Sequence, residues 1–260
     1  MSVTVSIDRG VARVALARPE VRNALNDDVM RRIAETLDGL EGDSSVRAVV
    51  ITGEGKAFSA GADLEYMRKI AVGGPEANRN DAMAMGALFH RIAEFERPVV
   101  GRINGPAIGG GVGLMAACDI VVAAQDAFFQ FSEVRLGLVP AVISPFCIRR
   151  IGASTARRLF LTGERIDAAT AERLGLVDRC VPSANLDEAV AGVLSDLLQG
   201  GPGALAEAKK LVAAVSNLPP RDVLSYTAEC IARLRAGDEA QEGMRAFLEK
   251  RPASWARRES

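Results

Sequence analysis

The sequence contains few of the residues from which metal sites and nucleophile triads are built. Among its 260 residues there is one histidine, His90, which lies between apolar neighbours in a predicted helix. The four cysteines are widely spaced and form neither a CxxC pair nor a Cys/His cluster. Zinc sites need such clusters, and a Ser-His-Asp triad needs a histidine with partners on both sides. We therefore predict no metal site and no triad, and we interpret the cysteines as small core residues in a reducing compartment.

The sequence also lacks a strong net charge and any long apolar run. It has 32 Lys and Arg residues against 33 Asp and Glu residues, a net charge of −1, and no basic stripe with interleaved aromatic residues. No apolar run approaches the roughly 20 residues that a membrane-spanning helix needs. The short, polar N-terminus has no signal-peptide pattern. These absences predict a cytoplasmic protein with a small-molecule substrate and with no nucleic-acid or membrane partner.

The hydrophobic pattern of the first 160 residues favours an α/β core. Alternating apolar and polar residues over 3–7 and 11–17 predict a β-hairpin. Asn26 is a candidate N-cap for a helix over 27–40. Short apolar runs separated by helical stretches predict parallel strands with buried faces. These runs cover residues 48–52, 99–103 and 120–123.

Residues 71–80 interrupt this pattern, because they lack periodicity and contain two glycines and a proline. We predict a mobile surface segment there, followed by a helix over 81–95. After Phe160 nearly every segment has helical periodicity, with one strand-like run over 176–181. The predicted helices cover 167–174, 184–199, 203–216, 219–236 and 238–250. The glycine-rich break at 200–203 divides the chain into a core, 1–200, and a helical C-terminal region, 201–260.

Two glycine-containing stretches, 59–64 and 109–113, each follow a predicted strand and precede a helix. The first amides of a helix have no intrahelical acceptor and lie at the positive end of its dipole, which suits an oxyanion. Glycines at such turns are also common for steric reasons alone. The run 111–116 matches a GxGxxA dinucleotide pattern, but Asp126 lies too close to serve as the ribose-binding acid. We therefore disfavour a dinucleotide site.

Several motifs, in a fixed order, resemble those of the enoyl-CoA hydratase/isomerase (crotonase) family. They cover 18–26, 55–64, 104–111, 118–120, 132–140, 161–164, 171–177 and 247–251. The resemblance runs almost from end to end. It implies a crotonase-like spiral of β-β-α turns with a helical C-terminal region, 201–260, that packs on neighbouring subunits as a homotrimer or a dimer of trimers. It also implies an acyl-CoA thioester substrate and no cofactor apart from the coenzyme A of that substrate.

The resemblance further implies roles for individual residues. The backbone amides of Ala62 and Gly110 would form the oxyanion hole that stabilises an enolate, and Glu133 would be the catalytic acid and base. Met67 and Phe247 match acyl-pocket positions, while Lys250 matches a contact to a CoA phosphate in an adjacent subunit. The implied substrate and CoA contacts are Arg22, Ala24, Lys56, Ala60, Asp63, Leu64, Met67, Gly109, Gly113, Arg135, Phe247 and Lys250.

The chain departs from the family pattern at Gly113. Typical hydratases of the family have a first catalytic glutamate there, so Glu133 would handle protons alone. Apolar neighbours are expected to raise its pKa. This departure leaves open a hydratase, an enoyl-CoA delta-isomerase, a CoA-dependent decarboxylase and a non-catalytic acyl-CoA-binding member. The run 133–146 is similar to bacterial methylglutaconyl-CoA and isohexenylglutaconyl-CoA hydratases, whose substrates carry a free carboxylate. We expect Arg135 or Arg149 to bind it.

Overall fold

The computed structural model describes residues 1–256, which form nine strands and ten α-helices. The strands are β1 (Val3–Asp8), β2 (Val11–Leu16), β3 (Ala48–Gly53), β4 (Val99–Ile103), β5 (Ala107–Ile108), β6 (Ile120–Ala124), β7 (Phe128–Gln130), β8 (Arg165–Asp167) and β9 (Arg179–Val181). The helices are α1 (Asp27–Glu41), α2 (Leu64–Val72), α3 (Gly74–Glu94), α4 (Gly110–Ala116), α5 (Ser144–Thr162), α6 (Ala168–Arg173), α7 (Leu186–Gln199), α8 (Pro202–Val215), α9 (Pro220–Ala236) and α10 (Asp238–Leu248). No helix in this part of the chain is long and apolar enough to cross a membrane.

The main sheet has six strands in the order β1-β2-β3-β4-β6-β9. The hairpin of β1 and β2 is antiparallel, and every later pairing in this sheet is parallel. All six residues of β3 are buried, as expected for a strand covered on both faces. The predicted α/β class, the hairpin and the parallel strands are confirmed. Asn26 caps α1 as predicted, because its side chain accepts a hydrogen bond from the Val29 amide.

The loops at the carboxyl ends of β3 and β4 meet beside a second, smaller sheet. That sheet has the order β5-β7-β8. The chain after β3 pairs with β5 through a parallel bridge between Ser59 and Ala107, and β5 leads directly into α4. Both glycine stretches singled out in the sequence therefore lie at this edge. The short strands β7 and β8 were not predicted, since three-residue segments carry too little alternation to detect.

The prediction that residues 71–80 have no regular structure and that a helix starts only at 81 was wrong, although the segment does lie at the surface. These residues end α2 and begin α3, and the break between the two helices lies at Gly73 and Gly74, where Gly74 has φ +82°. Pro75 lies in the first turn of α3, a position at which proline costs no hydrogen bond. The Asn78 side chain donates to the carbonyls of Ile70 and Gly74 and so joins the two helices. The two glycines and the proline, which were interpreted as loop residues, therefore mark the start of a helix.

Helix α7 covers the second face of the main sheet, and α8 to α10 follow it. Lys209 on α8 connects this helix to the core through polar contacts. Its Nζ lies 2.7 Å from the Asp119 carboxylate and donates to the carbonyls of Phe95 and Arg97. Burial raises the pKa of Asp119, and the Lys209 charge opposes that shift. Helix α9 has no buried residue, so one side of this region carries exposed apolar side chains such as Leu224 and Ile231.

Replacing Lys209 with methionine is expected to lower the free energy of unfolding by about 2–4 kcal/mol, because it leaves the Asp119 carboxylate and two carbonyls without their cation. Urea unfolding monitored by circular dichroism measures this loss. Lys210→Met is the matched control, since Lys210 pairs with Glu207 at the surface and such pairs contribute at most about 1 kcal/mol. Equal losses for the two variants would show that Lys209 is not an anchor.

Candidate active site

The Glu133 carboxylate packs against the backbone of Gly109, at the start of α4. Gly109, the residue before α4, has φ +48° and ψ −117°, a conformation that disfavours a residue with a side chain. A Cβ built on Gly109 would lie 3.0 Å from Oε1 of Glu133. The Gly109 amide donates to the Gln130 carbonyl, which fixes this turn against β7. The carboxylate therefore lies directly against the residue that precedes the Gly110 amide.

The Ala62 and Gly110 amides lie on neighbouring segments that touch through backbone atoms. Leu25 forms a parallel bridge to Ala62, in which the Leu25 amide donates to the Gly61 carbonyl and the Leu25 carbonyl accepts from the Asp63 amide. In such a bridge the amide of the central residue, Ala62, points to the opposite side. Gly110 opens α4, so its amide has no intrahelical acceptor. Neither amide donates to a loop or side-chain acceptor within residues 1–256.

Gly61 allows these two segments to approach each other. It has φ +86°, and a Cβ built on it would lie 3.2 Å from the Gly110 nitrogen and 2.5 Å from the Ile108 carbonyl oxygen. A Cβ built on Gly110 would in turn lie 3.7 Å from the Ala62 nitrogen. Two unpaired amides on adjacent backbone segments suit a single oxygen atom that gains negative charge during a reaction.

Glu133 is half-buried, and no charged group compensates its carboxylate. It begins a short 3-10 helix, Glu133–Leu136. Burial raises the pKa of Glu133 above its ordinary value of 4.5, as predicted from its apolar neighbours. Its Oε2 atom is buried and has no hydrogen-bond partner within the described residues. An unpaired carboxylate with a raised pKa can exchange protons near neutral pH.

The surroundings of Gly113 in α4 are apolar. A Cβ built on Gly113 would lie 2.8 Å from the Cβ of Ile143, closer still to its Cγ2, and 3.0 Å from Cε2 of Phe89. No side chain fits there without movement of these neighbours. The space that a larger residue at position 113 would need is therefore already filled by Ile143 and Phe89.

A polar cluster that sequence reasoning missed supports the Ala62 segment. Asn23 is buried with φ +57°, and its side chain donates to the carbonyls of Glu54 and Ala57 and accepts from the Arg18 amide. The Ser59 hydroxyl donates to the Asn23 carbonyl and accepts from the Gly61 amide. Asparagine adopts left-handed backbone more readily than most residues, but a polar residue in a loop is normally expected to be exposed. Because of that expectation, the cluster was not predicted from the sequence.

The remaining predicted contacts lie around this centre or away from it. Ala24 is buried, Ala60 and Met67 are half-buried, and Arg22, Lys56 and Leu64 are exposed. The Asp63 carboxylate is already engaged, because it caps α2 and lies 3.1 Å from Arg18. It therefore also holds the residue next to Ala62 in place.

The predicted carboxylate and CoA-phosphate contacts lie on exposed surface. Arg135 and Arg149 are both exposed, and Arg135 lies beside Gly163 at the end of α5. Phe247 is 83% exposed, and Lys250 is exposed just beyond α10, a helix that packs on α9. His90 makes an edge-to-face contact with Phe146, and no cluster of potential metal ligands occurs in residues 1–256.

Comparison with known proteins identifies the family. The family described as Enoyl-CoA hydratase/isomerase matches residues 6–258. A Thermus thermophilus protein whose name contains the words enoyl-CoA hydratase is 39% identical over 249 residues, which are 95% of this chain and 98% of that protein. The 2,3-dehydroadipyl-CoA hydratase of Escherichia coli is 34% identical over 248 residues, with 95% of each chain covered. A crystal structure of an enoyl-CoA hydratase from Shewanella pealeana has a TM-score of 0.95 and 35% identity, and the match covers 98% of this chain and 96% of that one. The chain is therefore an enzyme that belongs to the enoyl-CoA hydratase/isomerase family.

Proposed function

We propose that the protein is an enoyl-CoA hydratase that adds water to a 2-enoyl-CoA thioester. The observation that carries this proposal is the position of the Glu133 carboxylate against Gly109, next to the unpaired Gly110 amide. A thioester oxygen held by the Ala62 and Gly110 amides would bring the reacting carbons close to this carboxylate. The only coenzyme required is the coenzyme A that the substrate itself carries.

The proposed reaction uses Glu133 as base and then as acid. The oxygen of a water molecule bonds to carbon 3 while one of its protons passes to Glu133. The π electrons move into the thioester, whose enolate oxygen accepts hydrogen bonds from the Ala62 and Gly110 amides. A proton from Glu133 then bonds to carbon 2, which regenerates the thioester carbonyl. Preorganised amides of this kind commonly accelerate acyl chemistry by about 10²–10³-fold each.

One observation supports a second candidate, an enoyl-CoA delta-isomerase. Ile143 and Phe89 fill the space at Gly113, so the position at which typical hydratases have a second carboxylate is apolar. An isomerase needs only one group to carry a proton between carbons 4 and 2, and it needs no bound water. A decarboxylase would use the same enolate-stabilising amides without any proton removal, whereas a non-catalytic member would only bind the thioester.

We also propose a substrate with a second, free carboxylate, such as methylglutaconyl-CoA. The similarity of the run 133–146 supports this class, and so does the name of the Escherichia coli relative, which denotes a dicarboxylic acyl group. Arg135 or Arg149 would bind that carboxylate, because a guanidinium group matches its two oxygens.

The helical region 201–260 is proposed to assemble the chain into a homotrimer or a dimer of trimers. Its exposed apolar side chains support an interface, and they include Val212, Leu224, Ile231, Phe247 and Leu248. In such an assembly Phe247 and Lys250 would reach the acyl group and a CoA phosphate in an adjacent subunit.

A panel of CoA thioesters analysed by mass spectrometry tests the reaction. We expect gain of one water with crotonyl-CoA and with methylglutaconyl-CoA, with kcat/KM for the latter at least about tenfold higher. An unchanged mass with a shifted double bond would replace hydration by isomerisation, and loss of carbon dioxide would replace it by decarboxylation. Arg135→Ala and Arg149→Ala, tested separately, should show which arginine is responsible for the higher kcat/KM with methylglutaconyl-CoA. Equal turnover of the two substrates would contradict the carboxylate-binding proposal.

A further inference from the structure

Two glycines at the start of α4 each make a close contact with another part of the chain. Gly109 is the N-cap residue of α4, with non-helical backbone, and Gly113 lies four residues later in the helix. At Gly109 the neighbour is the Glu133 carboxylate, and at Gly113 the neighbour is Ile143, whose side chain rests directly on helix backbone. Ile143 is 3% exposed. The two contacts therefore form a pair on one rigid element.

The same pair is joined through the chain that follows Glu133. The Leu138 amide donates to the Glu133 carbonyl at 3.0 Å, the Ala141 amide to the Val139 carbonyl at 2.7 Å and the Ser144 amide to the Ala141 carbonyl at 3.2 Å. These turns connect the 3-10 helix that begins at Glu133 to the first turn of α5, where Ile143 precedes the helix. A shift of Ile143 away from α4 would be transmitted to the segment that carries the carboxylate.

We propose that Ile143 is a positioning residue whose contact with Gly113 sets the placement of the Glu133 carboxylate over Gly109. This inference rests on the proposed role of Glu133 as the proton carrier. The function of Gly113 is then to offer bare backbone, so that Ile143 can approach closely. Ile143, Phe89 and Cys147 are all buried, so the surroundings of Gly113 are apolar.

Cys147, in the first turn of α5, is hydrogen-bonded to Ile143 and is affected electrostatically by Glu133. Burial is the main cause that raises the pKa of the Cys147 thiol, and the charge of Glu133 raises it further. The Cys147 amide donates to the Ile143 carbonyl at 3.1 Å. The charge of Glu133 therefore acts on the first turn of α5, which Ile143 precedes.

The experiment compares four variants by steady-state kinetics and by direct titration of Glu133. Ile143→Ala removes the contact, and Ile143→Val retains the Cβ and Cγ atoms that rest on Gly113. Gly113→Ala forces Ile143 outward. Gly86→Ala is the matched control, because a Cβ there would meet the adjacent Val142 at an ordinary 3.7 Å. Carboxyl carbon NMR of labelled glutamate follows the titration of Glu133, which is assigned by the loss of its signal in Glu133→Gln.

We expect Ile143→Ala and Gly113→Ala to lower kcat by about 10–100-fold with KM changed less than about threefold, because an ångström-scale displacement is enough for such a loss. In Ile143→Ala the pKa of Glu133 should fall toward 4.5 as water enters. Ile143→Val and Gly86→Ala should behave like the wild type.

An unchanged titration and kcat in Ile143→Ala would overturn the inference, and so would equal behaviour of Gly113→Ala and Gly86→Ala. A residue with a purely structural role would lower the melting temperature but would leave the titration unmoved. The titration needs no turnover. If the wild type converts no thioester, the proposed function fails, while the placement of the carboxylate is still decided by NMR.

Discussion

Replacing Gly109 with alanine is expected to reduce kcat/KM by about 10³-fold or more while the protein still folds. The new Cβ would lie 3.0 Å from Oε1 of Glu133 and would push the carboxylate away. The backbone at φ +48° and ψ −117° also strains a residue with a side chain, at a cost of roughly 1–3 kcal/mol. Relief of that strain would rotate the Gly110 amide. One substitution therefore disturbs both proton transfer and oxyanion binding, each of which contributes about 10²-fold or more.

Kinetics on the best substrate of the panel measure this loss, and circular dichroism verifies the fold. Gly192→Ala in α7 is the matched control, because a Cβ there meets nothing within 4 Å. Alanine at that helical position should leave kcat/KM unchanged and raise the free energy of unfolding by about 1 kcal/mol. If Gly109→Ala retained wild-type kcat/KM, the contact between α4 and Glu133 would have no role in catalysis.

The sequence was sufficient to locate the two backbone loops, but not to show how they meet. Glycines after predicted strands indicated the stretches 59–64 and 109–113, because strand ends and helix starts have clear local signals. The contact between them depends on Gly61, whose φ of +86° places its Cα hydrogen against the Ile108 carbonyl and the Gly110 amide. Such a contact joins residues distant in sequence, and no local periodicity encodes it.

At Gly113, too, the sequence was not sufficient to predict the local structure. Sequence comparison indicates that an expected acid is missing there, and it predicts a site with one carboxylate. It cannot show whether the missing side chain leaves a gap for water or a filled space. In the structure, Ile143 and Phe89 fill the space that a side chain at position 113 would need. The difference matters chemically, because a space filled by apolar side chains cannot hold a water molecule at position 113, whereas a polar gap could.

The error at residues 71–80 has a similar origin. Gly73, Gly74 and Pro75 are read locally as a loop, yet the glycine pair separates two helices and the proline starts the second one. The Asn78 side chain donates to carbonyls of both helices and so stabilises the junction between them. Turn residues therefore mark a boundary reliably, but they do not determine whether a loop or a new helix follows.

Replacing Glu133 with glutamine is expected to lower kcat by about 10²–10⁴-fold, because glutamine preserves the shape of the side chain but cannot carry a proton. Substrate binding should change little. In the wild type, the acid limb of kcat/KM should lie above the ordinary carboxyl pKa of 4.5, since burial raises the pKa of Glu133 and the base must be ionised. Glu96→Gln, a change at an exposed glutamate, is the control and should leave the rate unaffected. Wild-type turnover by Glu133→Gln would eliminate the proposed mechanism.

The same variant should be more stable than the wild type near neutral pH, and the sign follows from proton binding. Because the pKa of Glu133 is raised on folding, the folded state holds the proton more tightly than the unfolded state does. The wild type therefore loses stability as pH rises from the ordinary pKa of 4.5, which the unfolded chain has, through the raised folded value. Glutamine cannot ionise, so the stability of Glu133→Gln does not decrease in this way as pH rises. Urea unfolding at several pH values should show a difference near zero in acid that grows in favour of Glu133→Gln toward neutral pH. A difference independent of pH would mean that the carboxylate is solvated in the folded protein, and a dry proton carrier would then be excluded.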